Sequence, residues 1–432
     1  MRVDGLTGYT VWPVDPRLQE LIRLFQSVYY APDPGPLLIT LAAYAAFRLP
    51  GGNPFWTMIV GGPSSGKTEL LNLITDLPNV YPVSDITPAA MLSGTKIKEY
   101  EKGATGGLLM EITAAGGAGM LAFKDFTSCL SSVREKHGSE TSILGMLREL
   151  QDGYYTRRIG TDGARVLSWE GTIAVIAACT TVIDEHRAVM SAMGDRFTFF
   201  RMPKLEADRA EEMALRAIRN ANKHTEQREM LAAATAAFMK DVPSTWPDRT
   251  SEQHNTQDEC ISGLAFLVAQ CRSQISRDRY TREVEHKHDA ESPSRIAGQF
   301  VRLDAGLEII GVPAVRRYQL IRRSAFGCLP DLRLSLLSLL TKRPVVAGAE
   351  SGFTIPELVD ATGYGERVIR RTLEDLTLHG VITWQKAAPA YRYRMAPEWI
   401  ERWNRCPPGS FVSRDNGQVA EMPNRNASEK AE

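Results

Sequence analysis

Phe55–Ile74 reads FWTMIVGGPSSGKTELLNLI, and the fold turns on this stretch. FWTMIV is apolar, aromatic and β-branched, the composition of a buried strand. TELLNLI carries apolar residues at helical spacing. Between them, Gly61, Gly62, Pro63, Ser64, Ser65, Gly66, Lys67 and Thr68 fit G-x-x-x-x-G-K-[ST] in the strand-to-helix context that this motif requires. The glycines let successive backbone N–H groups wrap a phosphate chain. Lys67 then reaches the β- and γ-phosphates, and the Thr68 hydroxyl faces Mg²⁺. The expectation is a P-loop that binds ATP with Mg²⁺.

Working outward, Gly119–Phe123 (GMLAF) and Ile173–Cys179 (IAVIAAC) read as further buried strands. They alternate with helical stretches such as Ser142–Leu150, which predicts an α/β fold with a parallel sheet. An ATPase of this kind needs an acid at the end of a neighbouring strand. Asp125 follows GMLAF after Lys124 and is the candidate. Two registers are open: Asp125 serves the metal, or it activates the attacking water while Lys124 stands in the metal-side position.

Upstream, Arg17–Tyr30 has Leu18, Leu21, Ile22, Phe25 and Val28 at helical spacing, and Leu37–Phe47 predicts a second, more buried helix. Downstream, residues 205–240 read as helical, 243–258 as a loop and 259–328 as helices. Residues 329–400 read as three helices followed by a hairpin, the pattern of a winged helix-turn-helix. After about residue 404 the chain is polar, and a disordered tail is expected.

Lys and Arg total 51 and Asp and Glu total 51 in 432 residues. That balance excludes a protein that coats DNA by bulk charge, but not one with a local basic surface. Six cysteines show no C-x-x-C and no zinc spacing with histidine, so reduced thiols and no structural zinc are expected. The N-terminus has no leader-like apolar core, and the longest apolar run, Pro36–Phe47, is too short to span a bilayer. A soluble cytoplasmic chain without membrane contact is expected.

Several motifs recur in an order that resembles the AAA+ ATPase core of the minichromosome maintenance helicases, above all their shorter phage and mobile-element forms. GMLAFKDF resembles the family's Walker B strand ending in Asp-Glu-Phe. Matching Gly119 and Phe126 to that strand places Lys124 at its Asp and Asp125 at its Glu. Thr180, after IAVIAAC, takes the sensor-1 position. MGDRF resembles the arginine-finger motif, with Arg196 as the finger acting on the next subunit's nucleotide. SPSRIAGQFVRL resembles the lid helix with its sensor-2 arginine, Arg295. The resemblance implies a ring, expected to be a hexamer. The resemblance covers about residues 55–330. With the patterns read on either side, the expected division is an N-terminal helical segment (1–50), an ATPase core (51–204), a helical lid and linker (205–328), the winged helix (329–400) and the tail (401–432).

In the resembling family two inserted hairpins touch DNA. The first would be Tyr154–Trp169, with Arg157, Arg158 and Arg165 around a Thr161-Asp162-Gly163 turn. The second would lie in residues 102–117, read as a glycine-rich mobile loop. On the winged helix, the stretch from Gly365 to His379 predicts Val368, Ile369, Leu373 and Leu376 as its buried face, with Arg367, Arg370 and Arg371 exposed. The wing adds Arg392 and Arg394 beside Tyr391 and Tyr393. These arginines are the expected DNA contacts, a single strand in the pore and duplex at the winged helix. A further cluster, Arg316, Arg317, Arg322 and Arg323, reads as a solvated helix face. The leading expectation is an ATP-dependent DNA helicase or translocase. The Lys124-Asp125 departure supports a second one, an AAA+ ATPase that loads a helicase or targets DNA without unwinding it.

Overall fold

The computed structural model describes residues 14–84, 86–93, 106–127, 129, 141–160, 165–186, 196–203, 207–250, 252–278, 280–342, 352–387 and 390–404. Two helices come first, α1 (Pro16–Val28) and α2 (Gly35–Phe47). Leu18, Leu21, Ile22, Phe25 and Val28 are all buried, as their spacing predicts. Every residue of α2 is buried, so it runs through the core rather than over it.

The sheet is built from β1 (Trp56–Val60), β2 (Val80–Val83), β3 (Ala118–Phe123), β6 (Thr172–Cys179) and β7 (Thr198–Arg201). Its order is β2-β3-β6-β1-β7, and every pairing is parallel. Burial on both faces explains the continuous apolar runs in β1, β3 and β6. The helices connecting and covering these strands are α3 (Lys67–Asn72), α4 (Pro88–Met91), α5 (Leu108–Ala114) and α6 (Thr141–Gln151). An antiparallel hairpin, β4 (Tyr154–Ile159) with β5 (Arg165–Glu170), projects before β6. Residues 161–164 of its predicted turn lie outside the described residues.

The following helices are α7 (Ala207–Asn220), α8 (His224–Asp241), α9 (Glu252–Arg272), α10 (Ser294–Ile309) and α11 (Ala314–Gly327). Two expectations change here. The predicted loop 243–258 ends at Glu252, where α9 begins. The predicted all-helical stretch contains a hairpin, β8 (Ile275–Arg277) with β9 (Val284–Lys287); β8 is half-buried throughout and β9 exposed throughout, so neither carries an alternating core pattern. Arg316, Arg317, Arg322 and Arg323 are not a solvated face. Arg317 is buried against Asp304 at 2.8 Å, Arg323 reaches Asp33 at 2.7 Å, and Arg322 lies over the Phe326 ring.

The last unit has its own core. It comprises α12 (Asp331–Leu340), α13 (Ile355–Thr362), α14 (Glu366–Leu378), the antiparallel hairpin β10 (Ile382–Ala387) with β11 (Ala390–Met395), and α15 (Pro397–Asn404). Thr354 and Glu357 form a capping box at the start of α13, and Gly363 ends it in the left-handed region. In α14, Ile369, Leu373 and Leu376 form the buried seam, and Arg367, Arg370 and Arg371 are exposed. Val368 is exposed as well, against expectation. It sits one residue, about 100° around the helix, before Ile369 and falls outside the seam. The expected tail, 405–432, lies outside the described residues.

Among the described residues no helix is long and apolar enough to cross a membrane. Cys129, Cys179, Cys271 and Cys328 are buried thiols outside any disulfide, whereas Cys260 is disulfide-bonded, so the expectation of reduced thiols fails at Cys260.

Candidate functional site

Parallel strands deliver their C-terminal ends to one edge of a sheet, where crevices form. The central strand β6 is flanked by β1 and β3. Their ends carry Thr180, Gly61 and Lys124-Asp125 respectively. The register fixes the alignment: Val60 lies opposite Cys179, and Phe123 opposite Ala177. Gly61 N–H donates to the Cys179 carbonyl at 3.1 Å, and Phe126 N–H to the Ala178 carbonyl at 2.8 Å. Residues that are 119 apart in sequence at their extremes, Gly61 and Thr180, are thereby set side by side.

The loop from Gly61 to Thr68 joins β1 to α3. Ser64 and Gly66 both take positive φ, +58° and +85°, which turns the chain sharply before α3. A Cβ on Gly61 would lie 2.8 Å from Met202 Cγ and from Ser65 Oγ, so only glycine lets the loop pack there. Gly62, Pro63, Ser64 and Thr68 are exposed. Lys67 curls into the turn: Nζ donates to the carbonyls of Gly61 at 2.9 Å and Gly62 at 2.6 Å, and to Ser65 Oγ at 3.2 Å. Burial pulls its pKa down, and the nearby Cys179 and Asp125 oppose that pull. Lys67 and Asp125 therefore share one electrostatic environment.

Asp125 Oδ1 accepts from Thr127 N–H at 2.9 Å, a local turn that fixes the carboxylate at the strand end. Thr127 Oγ1 lies 3.2 Å from Thr180 Oγ1 and accepts from Thr180 N–H at 3.1 Å. These bonds lock the acidic loop to the end of β6. Burial pushes the Cys179 thiol up to about 11, so it stays neutral beneath this group. Lys124 and Asp125 are exposed. Thr127 was not singled out from sequence; its signal is the D-x-T spacing of the turn.

A cavity of about 580 Å³ opens directly beside this loop. Ser65, Gly66, Glu69 and Leu70 form one wall. Residues from the end of α1 to the start of α2, Met202, Pro203, and residues of α7 and α8 form the rest. Glu69 anchors it. It accepts from the Tyr29 hydroxyl at 2.8 Å and from Arg228 Nε at 2.8 Å, and Arg228 holds its carboxyl below the usual carboxylate range against the effect of burial. No local pattern marks this pair, because Arg228 lies 159 residues away. The cavity is mainly apolar, with polar groups near the glycine loop, the pattern of a small-molecule site.

Arg196 and Arg295, taken from separate motifs, come together. Arg295 and Arg148 both lie close enough for their charge to lower the Arg196 pKa, after burial, the largest cause, and against the opposing pull of Asp152. Arg196 is buried and pairs with Asp152 at 3.0 Å. Arg295 sits at the start of α10 and pairs with Glu291 at 3.0 Å. The structure thus gathers three arginines in one place.

On the β4–β5 hairpin, Arg157 and Arg165 share the face of buried Tyr155 and Trp169, while Arg158 points to the exposed side. Arg157 donates to the Leu92 carbonyl at 2.5 Å, so it braces the hairpin against the end of α4. The 102–117 segment differs from a mobile loop where it is described: Leu108–Ala114 is helical, with Leu109 and Ile112 buried. On the last unit, Arg392 is half-buried, 3.3 Å from the Gly352 carbonyl and 3.6 Å from Glu357, and Arg394 is also half-buried. Arg370 pairs with Glu366 at 2.6 Å on an exposed face.

The donor set suits a nucleotide with a hard cation. Backbone N–H groups of the Gly61–Thr68 turn can meet phosphate oxygens, and Thr68 and Asp125 supply oxygen ligands of the kind Mg²⁺ takes. Among the described residues there is no group of three or more His, Cys, Asp or Glu placed to hold a metal by itself.

No protein-family model matches the chain, and no curated protein matches it. Among solved structures, the chain is similar to the A-form apo structure of the NrS-1 C-terminal region. The identity is 12%, the TM-score is 0.23, and the match covers 92% of this chain and 79% of that one.

Proposed function

We propose that this chain is an ATP-dependent DNA translocase or helicase of the AAA+ type, similar to the minichromosome maintenance group and serving replication of a phage or mobile element. One observation carries the reading. The loop of Gly61–Thr68, the acid Asp125 and the polar Thr180 come from three adjacent parallel strands and meet at one sheet edge, beside a cavity that suits a nucleoside. In this reading residues 51–204 are the P-loop core, 205–328 the lid, and 329–400 a winged helix-turn-helix.

The phosphates of ATP lie in the glycine turn, and the base and ribose occupy the cavity by Glu69. Lys67 leaves the Gly61 and Gly62 carbonyls to meet the β- and γ-phosphates. Thr68 would hold Mg²⁺, which offsets phosphate charge when bound, and Asp125 stands beside it either as a second oxygen ligand or, in the register that puts Lys124 on the metal side, as the group that activates the attacking water. Thr180, held by Thr127, orients the water or the γ-phosphate. Arg196 and Arg295, gathered with Arg148, face the nucleotide of the next subunit in a ring of expected hexameric form. That role requires the Arg196–Asp152 pair to open on assembly. Arg157, Arg158 and Arg165 line the pore against a single strand, a role that requires Arg157 to leave the Leu92 carbonyl, and Arg367, Arg370, Arg371, Arg392 and Arg394 serve the winged helix.

The test is hydrolysis of ATP by the purified chain with and without DNA, together with strand displacement. DNA-stimulated hydrolysis that Lys67→Ala abolishes, with displacement, supports the reading; its absence overturns it. A second reading rests on Lys124, a cation beside Asp125 where the resembling family has an acid. It makes the chain a helicase loader or DNA-targeting ATPase, and predicts hydrolysis without strand displacement.

A further inference from the structure

The β10–β11 hairpin carries an unusual surface. Directly opposed residues of an antiparallel pair project on one face, and the face alternates along the strand. Ile382 opposes Met395, Trp384 opposes Tyr393, and Lys386 opposes Tyr391, so these six share a face. Its inner end is core: Ile382 and Met395 are 2% and 1% exposed. Its outer end is open: Trp384 and Tyr391 are 50% and 48% exposed. They pack edge-to-face across the strands, ring centroids 5.2 Å apart at 83°. Backbone bonds between Tyr393 and Phe353, at 2.8 and 2.9 Å, brace the far edge of β11.

Cations border this ledge. Lys386 stands on it, and Arg370 of α14 lies close enough to Tyr393 to affect its ionisation, with Glu374 on the same side. Arg367 and Arg371 continue along the exposed face of α14. Of the two acids nearby, Glu366 pairs with Arg370 and Glu374 with Arg277, which leaves the border net positive. Reading of a major groove calls for polar side chains aimed at base edges. A rigid aromatic ledge bordered by cations offers instead flat faces for unstacked bases and positive groups for their phosphates.

We propose that Trp384, Tyr391 and Tyr393, with Lys386 and Arg370, form a stacking platform for single-stranded DNA, so that the wing holds a separated strand rather than duplex. This deepens the proposed function, since it rests on the chain acting on DNA and names which form of DNA this surface takes.

The experiment uses the full chain and oligothymidylate carrying 5-iodo-deoxyuracil, photo-crosslinked and mapped by peptide mass spectrometry. Crosslinks at Trp384 or Tyr391 are expected. The double variant W384A/Y391A should lose those crosslinks and weaken single-strand binding about tenfold, while binding to blunt duplex changes less than twofold. W384F/Y391F, which keeps two aromatic faces, should retain most of the affinity and controls for folding. Crosslinks confined to residues 154–170, with single-strand binding otherwise intact, overturn the platform but leave the DNA motor standing. No binding of single-stranded DNA by the unaltered chain overturns both. Equal loss on duplex and single strand in W384A/Y391A, or tenfold preference for oligouridylate, also overturns the platform.

Discussion

Lys67 Nζ lies 2.6 Å from the carbonyl oxygen of Gly62, inside the turn that it would serve. With Gly61 and Ser65 it satisfies all three of its donors internally. An anion in the turn must displace these neutral acceptors, and an ammonium is drawn more strongly to an anionic phosphate oxygen than to a neutral carbonyl. Lys67→Ala should therefore lower ATP turnover by more than about 10²-fold, on the scale of removing an electrostatic catalytic contact. The melting temperature should shift little, because Gly62 is exposed and water can replace the lost partner. Lys67→Arg should not rescue turnover, since a planar fork cannot replace a compact ammonium in so tight a turn. Phosphate release and thermal melts of the three proteins check this.

Asp125 is fixed by Thr127, and Thr127 is fixed by Thr180. In the register that puts Lys124 at the metal-side position, Asp125 activates water. Asp125→Asn should then lower hydrolysis by about 10²-fold or more while Mg·ATP affinity stays within about threefold, the signature of a contact that matters only in the transition state. A tenfold loss of affinity together with its Mg²⁺ dependence would assign Asp125 to the metal. Thr127→Val removes the hydroxyl that both holds Thr180 and fixes the acidic loop. It should lower kcat about tenfold with little change in KM, measured by steady-state hydrolysis.

Much of this arrangement could be read from residue order because it is local. The glycine turn, the buried runs of β1, β3 and β6, and the seam of α14 each show in a window of ten residues or so. The missed strands lack that signal. Val80–Val83 is four residues long with Pro82 inside it, which a sheet tolerates at an edge, and β2 is the edge. Thr198–Arg201 is equally short. The arginines at 316–323 depart from the expected solvated face because a cation on a helix looks solvated until its partner is known. Asp304 and Asp33 come from elsewhere in the chain. The approach of Arg148, Arg196 and Arg295 is likewise tertiary, and no spacing rule links them.

His379 closes α14 and is buried, and its pKa is held below the usual histidine value by burial first, then by Arg333 and Lys287, with Asp375 opposing. The sign follows from proton binding. Between the two pKa values the unfolded chain holds the extra proton, so stability rises with pH through that window. It is present above the unfolded value, near 6.5, and lost as pH falls through that value toward the folded one. The melting temperature at pH 5 should fall below that at pH 8, and His379→Gln should shrink the gap. Melts of both proteins at the two pH values measure the difference.

Two glycines of α10 separate steric from entropic effects within one helix. A Cβ on Gly306 would lie 2.4 Å from the Ala42 carbonyl oxygen and 3.1 Å from Ala46 Cβ, both on fully buried α2. A backbone oxygen cannot swing aside, so Gly306→Ala must push the helices apart. The same seam carries Arg302, which binds the carbonyls of Ala46 in the last turn of α2 and of Leu49 and Gly51 beyond it. Gln299 one turn earlier ties α10 to the start of β1, through Trp56 N–H at 2.8 Å and the Pro54 carbonyl at 2.9 Å. Displacement of α10 therefore strains the strand that leads into the glycine turn. Gly306→Ala should cost about 3 kcal/mol and raise KM for ATP. Gly298, in the same helix, has nothing within 4 Å of its added Cβ. Gly298→Ala should stabilise by about 0.5–1 kcal/mol, since alanine loses less backbone freedom on folding, and should leave KM unchanged. Equal effects of the two substitutions on melting temperature would refute a steric origin for the Gly306 requirement.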